Sequence, residues 1–150
     1  MAAKFENRFA ILELLVRSKY DLDSQNDNGD TAVHIAAQKG NYKHLELLIE
    51  SGAEVNILND YSLSPLYLAI LNEKKECAEI LLDNQALAFY DDNDITRDRS
   101  PIFLAIRNQQ REMIEMMFDF IDDEQQVQIK TSAGLTPMMF AAKNLYKESL

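Results

Sequence analysis

Cys77 is the only cysteine in the 150 residues, so no disulfide forms within the chain, and a reducing compartment fits that usage. Tryptophan is absent. Glycine and proline number only four and three, which leaves little room for long coil segments. Long hydrophobic runs are missing too. No stretch approaches the ~18 consecutive apolar residues of a membrane span, so no membrane insertion is expected. The opening residues, Met1 to Glu6, carry no apolar core of a signal peptide. Basic residues are outnumbered, 15 Lys and Arg against 25 Asp and Glu, for a net charge of −10. No basic stripe is present to follow a phosphate backbone, so no nucleic acid is expected as a partner. A neutral or basic protein surface suits this field better. What remains is ordinary for a folded domain: 47% hydrophobic and 27% charged residues, too apolar for disorder.

The chain has an internal repeat. Four segments align: Thr31-Ala-Val-His-Ile-Ala-Ala, Ser64-Pro-Leu-Tyr-Leu-Ala-Ile, Ser100-Pro-Ile-Phe-Leu-Ala-Ile and Thr136-Pro-Met-Met-Phe-Ala-Ala. The steps between their hydroxyl residues are 33, 36 and 36. A second block follows the first three: Leu45-Glu-Leu-Leu-Ile, Ala78-Glu-Ile-Leu-Leu and Ile114-Glu-Met-Met-Phe. It also precedes them as Leu12-Glu-Leu-Leu-Val, so part of an earlier unit is present. A fixed period of this length is the signature of a repeat array.

Each unit has a mechanical reading. Ser or Thr caps a first, inner helix by accepting from an orphan backbone N–H. Pro65, Pro101 and Pro137 take the first helical position, where a missing N–H costs nothing. Ala36, Ala69, Ala105 and Ala141 let a paired helix come close. A polar turn leads to a second, outer helix with the Leu/Ile/Met block. In unit one that helix closes at Gly52, a residue suited to a left-handed turn.

These segments closely resemble the ankyrin repeat, with its T-P-L-H-x-A signature. Unit one is the best match, from Asn28-Gly-Asp-Thr-Ala-Val-His-Ile-Ala-Ala through Ser51-Gly-Ala-Glu-Val-Asn56. It departs at Ala32 and Val33. Units two and three replace the histidine by Tyr67 and Phe103, and unit four keeps Gly134 but loses the polar residues around it. The resemblance implies an all-α ankyrin-repeat solenoid of antiparallel helix pairs with β-turn or hairpin loops. The expected division is a partial repeat over 1–28, repeats over 29–61, 62–97 and 98–133, the last with a long loop, and a partial repeat over 134–150. Residues 1–6 are expected to hold only a stub of an inner helix. The array reads as cut at both ends. The loops before Ser100 and Thr136 are longer than the first, so their tips are expected to be irregular or enlarged.

Groups that invite a catalytic reading have structural ones. The resemblance gives His34 the role of tying neighbouring units together. His44 and Cys77 align with Ile11 and Met113 at a packing position of the outer helix. Two histidines at this spacing and one distant cysteine make no zinc set. Asp91, Asp92, Asn93, Asp94 and Asp98 lack the Gly and Glu of a calcium loop and read as a solvated acidic loop. Met113, Met116, Met117, Met138 and Met139 have helical spacing that favours the core over an adaptable groove. Asn56 stands where an ankyrin asparagine can be hydroxylated, and it also caps the hairpin loop, the reading favoured here. No phosphate-binding loop or nucleophile motif is present, and neither enzyme activity, metal nor cofactor is expected.

In ankyrin arrays the loop tips and the exposed side of the inner helices form a concave face. Residues not held by packing there are free to recognise a partner. In this register they are Asp27, Asn28, Asp30, Gln38 and Lys39 in unit one, and Asp60, Tyr61, Leu63, Leu71 and Asn72 in unit two. In unit three they are Arg97, Arg99, Arg107 and Asn108. Tyr61, Leu63 and Leu71 are apolar where exposure is expected; they either anchor a partner or pack against neighbouring fingers. The three arginines would flank such a patch and meet carboxylates. The expected function is a protein–protein interaction scaffold in the cytoplasm, with the nucleus or a host-cell cytosol as alternatives. Other readings are a regulatory or tethering segment of a larger enzyme or channel, and an effector of an intracellular bacterium.

Overall fold

The computed structural model describes residues 2–18, 20–90, 99–121 and 129–145. Their regular structure is entirely helical. A leading helix, α1 (Ala2–Arg17), is followed by three helix pairs: α2 (Ala32–Lys39) with α3 (Tyr42–Glu50), α4 (Pro65–Leu71) with α5 (Lys75–Asp83), and α6 (Pro101–Arg107) with α7 (Arg111–Phe120). The inner helix α8 (Pro137–Leu145) closes the described part. The helices stack as two ladders. Inner α2 packs on α4, α4 on α6 and α6 on α8; outer α1 packs on α3, α3 on α5 and α5 on α7.

The start of each inner helix follows from its sequence. Thr31 and Ser64 stand in extended conformation and accept from the N–H groups of His34 and Tyr67. Thr136 likewise accepts from Met139 N–H at 3.3 Å. Ser100 was expected to cap α6 in the same way and does not. Its hydroxyl instead accepts from Tyr90 N–H at 2.8 Å, across the enlarged loop. The N–H of Phe103, which a side-chain cap would serve, donates to the Ser100 carbonyl at 3.1 Å instead.

Residues 1–6 were expected to hold a separate stub of an inner helix. Instead, Ala2–Arg17 is one continuous helix. It contains no Gly or Pro, and ten of its sixteen residues are Ala, Leu, Glu or Arg, so nothing in it interrupts the backbone ladder.

The core runs between the ladders. Val33, Leu45, Leu66, Ile70, Leu81, Ile102, Phe103 and Met117 are sealed from solvent. Each such side chain contributes about 1.5–3 kcal/mol of burial. Ala36, Ala37, Ala69 and Ala105 sit in the same core and allow close helix approach, as their small size predicts. Of the methionines assigned to the core, Met113 and Met117 belong there and Met116 packs against it. Met138 and Met139 do not: both are exposed on α8. Helical spacing places them on faces that α2, α4 and α6 bury against neighbours, but no described helix covers α8 on that side.

The turns repeat as well. Asn26 N–H donates to Asp30 O, Asn59 N–H to Leu63 O and Thr131 N–H to Leu135 O, at 2.9–3.0 Å. In each of these turns one residue takes positive φ: Gly29, Ser62 and Gly134. The tips of the two longer loops, residues 91–98 and 122–128, lie outside the described residues.

Candidate partner-binding surface

His34 links the framework of unit one to that of unit two. It is fully buried. Its Nδ1 lies 3.1 Å from Thr31 N and 2.9 Å from Thr31 Oγ1; its Nε2 lies 3.1 Å from Leu63 O, 29 residues away. A backbone N–H can only donate and a carbonyl can only accept, so the proton sits on Nε2 and the ring is neutral. Burial pushes its pKa below the ordinary value of 6.5, against the opposing pull of the Leu63 carbonyl and Asp30. No polar atom of the ring is left to reach a substrate.

The other groups with chemical potential are also committed to structure. Cys77 is buried, 4.0 Å from the carbonyl of Ala36, and burial pushes its thiol up to about 11. His44 is half-buried with Phe9 edge-on to its ring. Asn56 bridges to the next loop, donating to Gln85 O at 3.0 Å and accepting from Leu87 N–H at 2.9 Å. Among the described residues no group of three or more His, Cys, Asp or Glu is placed to hold a metal ion, and no helix is long and apolar enough to cross a membrane. The acidic run from Asp91 to Asp98 lies outside those residues.

The fourteen surface positions divide by what holds them. Asp27, Asn28, Gln38, Lys39, Arg99, Arg107 and Asn108 are exposed. Asp30 is half-buried, and its carboxylate accepts from Asn59 Nδ2 at 2.7 Å, binding finger to finger. Asp60 exposes its side chain while its N–H donates to Asn28 O. Leu63 is half-buried: its N–H is held by Asn59 Oδ1 and its carbonyl by His34. Asn72 is exposed and turns its amide back to Leu68 O at the end of α4. Tyr61 and Leu71 are exposed. They flank α4, one on the turn before it and one at its last residue, so the seven residues of α4 separate them by ~10 Å of helix rise. Arg97 lies outside the described residues.

Sequence reasoning missed Asn59. Its buried side chain accepts from Tyr61 N–H and Leu63 N–H, both at 3.0 Å, and donates to Asp30. It shapes the finger that presents Tyr61. Asn26 does the same one unit earlier, accepting from Asn28 N–H and Asp30 N–H at 2.9 Å. The recurrence of Asn at 26 and 59, one period apart, was the available signal.

Comparison with known proteins places the array. The family model of ankyrin repeats, in three copies, matches residues 1–94. Inversin of Gallus gallus is 33% identical over 138 residues, 92% of this chain and 12% of that protein. Protein phosphatase 1 regulatory subunit 12A of Mus musculus is 44% identical over 57 residues, 38% of this chain and 6% of that protein. The transient receptor potential cation channel subfamily A member 1 of Homo sapiens is 32% identical over 82 residues, 55% of this chain and 7% of the channel. The chain thus spans about a tenth or less of the length of these relatives. Ankyrin repeats are in general non-catalytic modules of protein–protein interaction. With four hydroxyl-led helix starts in register, a buried His34 between units and a matching family model over more than half its length, this chain belongs to the ankyrin-repeat family.

Proposed function

We propose that this chain is a protein-binding scaffold that holds its partner on the face carrying the finger turns and the exposed ends of the inner helices. The observation that carries the reading is Leu71. Its column in the repeat is Gln38, Leu71, Arg107 and Lys143, polar in every unit but one, and the one apolar member is exposed. Tyr61 is the one large apolar side chain in its own column, beside Asn28, Arg97 and Ala133, and it is exposed. A large apolar side chain that neither folds into the core nor follows the repeat is placed for a partner. Arg107, at the same position one unit on, supplies a cation for a carboxylate at the rim. The single, buried thiol suits a cytoplasmic setting.

The test compares capture by wild type and by the Tyr61→Ala/Leu71→Ala double variant, followed by calorimetry on the captured protein. Each alanine is expected to weaken binding by about 1–3 kcal/mol. Undiminished affinity in the double variant overturns the assignment. A second reading, a regulatory or tethering segment of a larger protein, draws support from the likeness to a phosphatase regulatory subunit and to a cation channel. In that case the partner of this face is another part of the same assembly, and the same two substitutions disrupt it.

A further inference from the structure

The charge of this chain is divided by face. The inner helices α2, α4, α6 and α8 carry three charged side chains, Lys39, Arg107 and Lys143, and all three are cations. The outer helices α3, α5 and α7 carry eight carboxylates against three cations, so they hold the opposite sign. Two of those outer cations are already in ion pairs, Lys75 with Glu112 at 2.6 Å and Arg111 with Glu115 at 2.7 Å. Lys39, Arg107 and Lys143 are exposed, and among the described residues none of them is in an ion pair. The net charge of −10 is therefore not the charge that the inner helices present.

Helix ends do not explain this division. A cation in the last turn complements the helix dipole. Yet the last turns of α3, α5 and α7 contain no basic residue and instead hold Glu50, Asp83 and Asp119. The placement follows the face and not the helix end. The exposed acids of the fingers, Asp27 and Asp60, stand on the turns before the inner helices begin, on the opposite edge of the face, and Asp30 is engaged by Asn59. On the turns that leave the inner helices, Glu73 is followed by Lys74, which adds no net charge.

Across the units the last-turn row is Lys39, Leu71, Arg107 and Lys143: a cation, an apolar side chain 48% exposed, then two cations. The inner helices that carry the row pack one on the next. Packed helices lie ~8–10 Å apart, and an extended segment advances ~3.3 Å per residue. One unit therefore corresponds to about three residues of an extended occupant. We infer that the partner offers this row an extended acidic segment, with a large apolar residue on Leu71 and a carboxylate three residues to either side, one on Lys39 and one on Arg107. A further carboxylate three residues beyond meets Lys143. The inference rests on the reading that this face holds a partner, and adds the chemistry of that partner. A nucleic acid carries phosphate at every step, and three separated cations in a chain of net charge −10 do not suit it.

The test selects random twelve-residue peptides displayed on phage against the immobilised 150-residue protein, then measures the enriched peptides by fluorescence anisotropy. They are expected to carry Asp or Glu three residues to either side of a large apolar residue, and to bind less tightly as salt rises. Arg107→Glu should weaken them by roughly tenfold or more. The decisive arm repeats the selection on Arg107→Glu. One of the two carboxylates should then be replaced by Lys or Arg, with the apolar residue and the other carboxylate kept. Leu71 and Arg107 are both exposed, and circular dichroism checks that each variant keeps its helices. Basic or uncharged peptides that lose binding to Leu71→Ala would overturn the acidic class and leave the face itself standing. Acidic peptides that bind Leu71→Ala and Arg107→Glu as tightly as wild type would overturn the placement on this row. Absence of any enrichment, or a twelve-nucleotide single-stranded DNA that binds as tightly as the best peptide, would overturn the inference as well.

Discussion

Replacing Glu73 by glycine should make the protein more stable. The turn that joins inner to outer helix has the same hydrogen bonds in three units. Gly40 N–H donates to Ala37 O and Asn41 N–H to Ala36 O; Glu73 and Lys74 repeat this onto Ile70 O and Ala69 O, and Gln109 and Gln110 onto Ile106 O and Ala105 O. All three central residues are left-handed, with φ of 74°, 56° and 55° for Gly40, Glu73 and Gln109. Only one of them is glycine. An L-residue in this region costs about 1–2 kcal/mol through the contact of its Cβ with the backbone. Glycine removes that cost but returns roughly 0.4–1 kcal/mol of freedom to the unfolded chain. The exposed Glu73 carboxylate is not counted on either side. Glu73→Gly is therefore expected to stabilise by about 0.5–1 kcal/mol, which at this chain length raises Tm by ~1–4 °C.

The reverse change calibrates the argument. Gly40→Ala takes on the same left-handed cost, and its new Cβ meets Lys74 Cδ at 2.8 Å. That neighbour is the stem of a flexible side chain, so it can shift, and after the same offset from the unfolded chain the loss should be about 0.5–1 kcal/mol rather than larger. Urea unfolding followed by circular dichroism measures both, with the slope checked for constancy so that the midpoints report stability. If Glu73→Gly is neutral or destabilising at unchanged slope, the left-handed turn is not a source of strain and the reasoning fails.

Two further outcomes follow from the buried groups. Because burial lowers the pKa of His34 in the folded state, the unfolded chain takes up a proton below about pH 6.5 that the folded chain resists, so stability should fall as pH drops from there toward the lowered folded value. His34→Gln, which lacks that titration, should lose less stability over the same interval in acid-titrated urea melts; an identical pH dependence would remove His34 as the cause. Cys77, buried with its thiol pushed up to about 11, should resist a thiol reagent at pH 8 in the native protein and react fully once unfolded. Rapid native labelling would show that α5 opens far more readily than its packing implies.

The parts of the fold that were legible in the sequence are those where one residue type has one cheap place to go. Proline after a hydroxyl residue marked the start of α4, α6 and α8, and the Leu/Ile/Met block marked the outer helices. The parts that were not legible are those where a tertiary contact overrode a local preference. Ser100 reads as a side-chain helix cap, but its hydroxyl turns to Tyr90 N–H, and Phe103 N–H bonds the Ser100 carbonyl. Ser62, Glu73, Gln85 and Gln109 carry no mark of a left-handed turn, yet each adopts one, because the helix packing on either side fixes the backbone between them. The residues of α1 contain nothing to end a helix, and in the absence of a break the backbone ladder continued through the segment read as a separate stub.

Surface positions obey a different logic, and here the repeat itself is the instrument. Hydrophobic period tells which face of a helix seeks a neighbour; it does not tell whether a neighbour is there. Met138 conforms to its column, which is apolar in every unit and fully buried in the first three, where an inner helix follows; among the described residues no inner helix follows α8. Leu71 violates its column, which is polar in every other unit, so no amount of further stacking would bury it. Two exposed apolar side chains, alike in chemistry, therefore carry different meanings. Met138 holds a position that the repeat itself uses for stacking. A surface that need not resemble a repeat at all belongs against Leu71 and Tyr61. Substitution at Met138 should therefore leave binding through Leu71 and Tyr61 intact, because the Met138 and Leu71 columns face different directions on the inner helices.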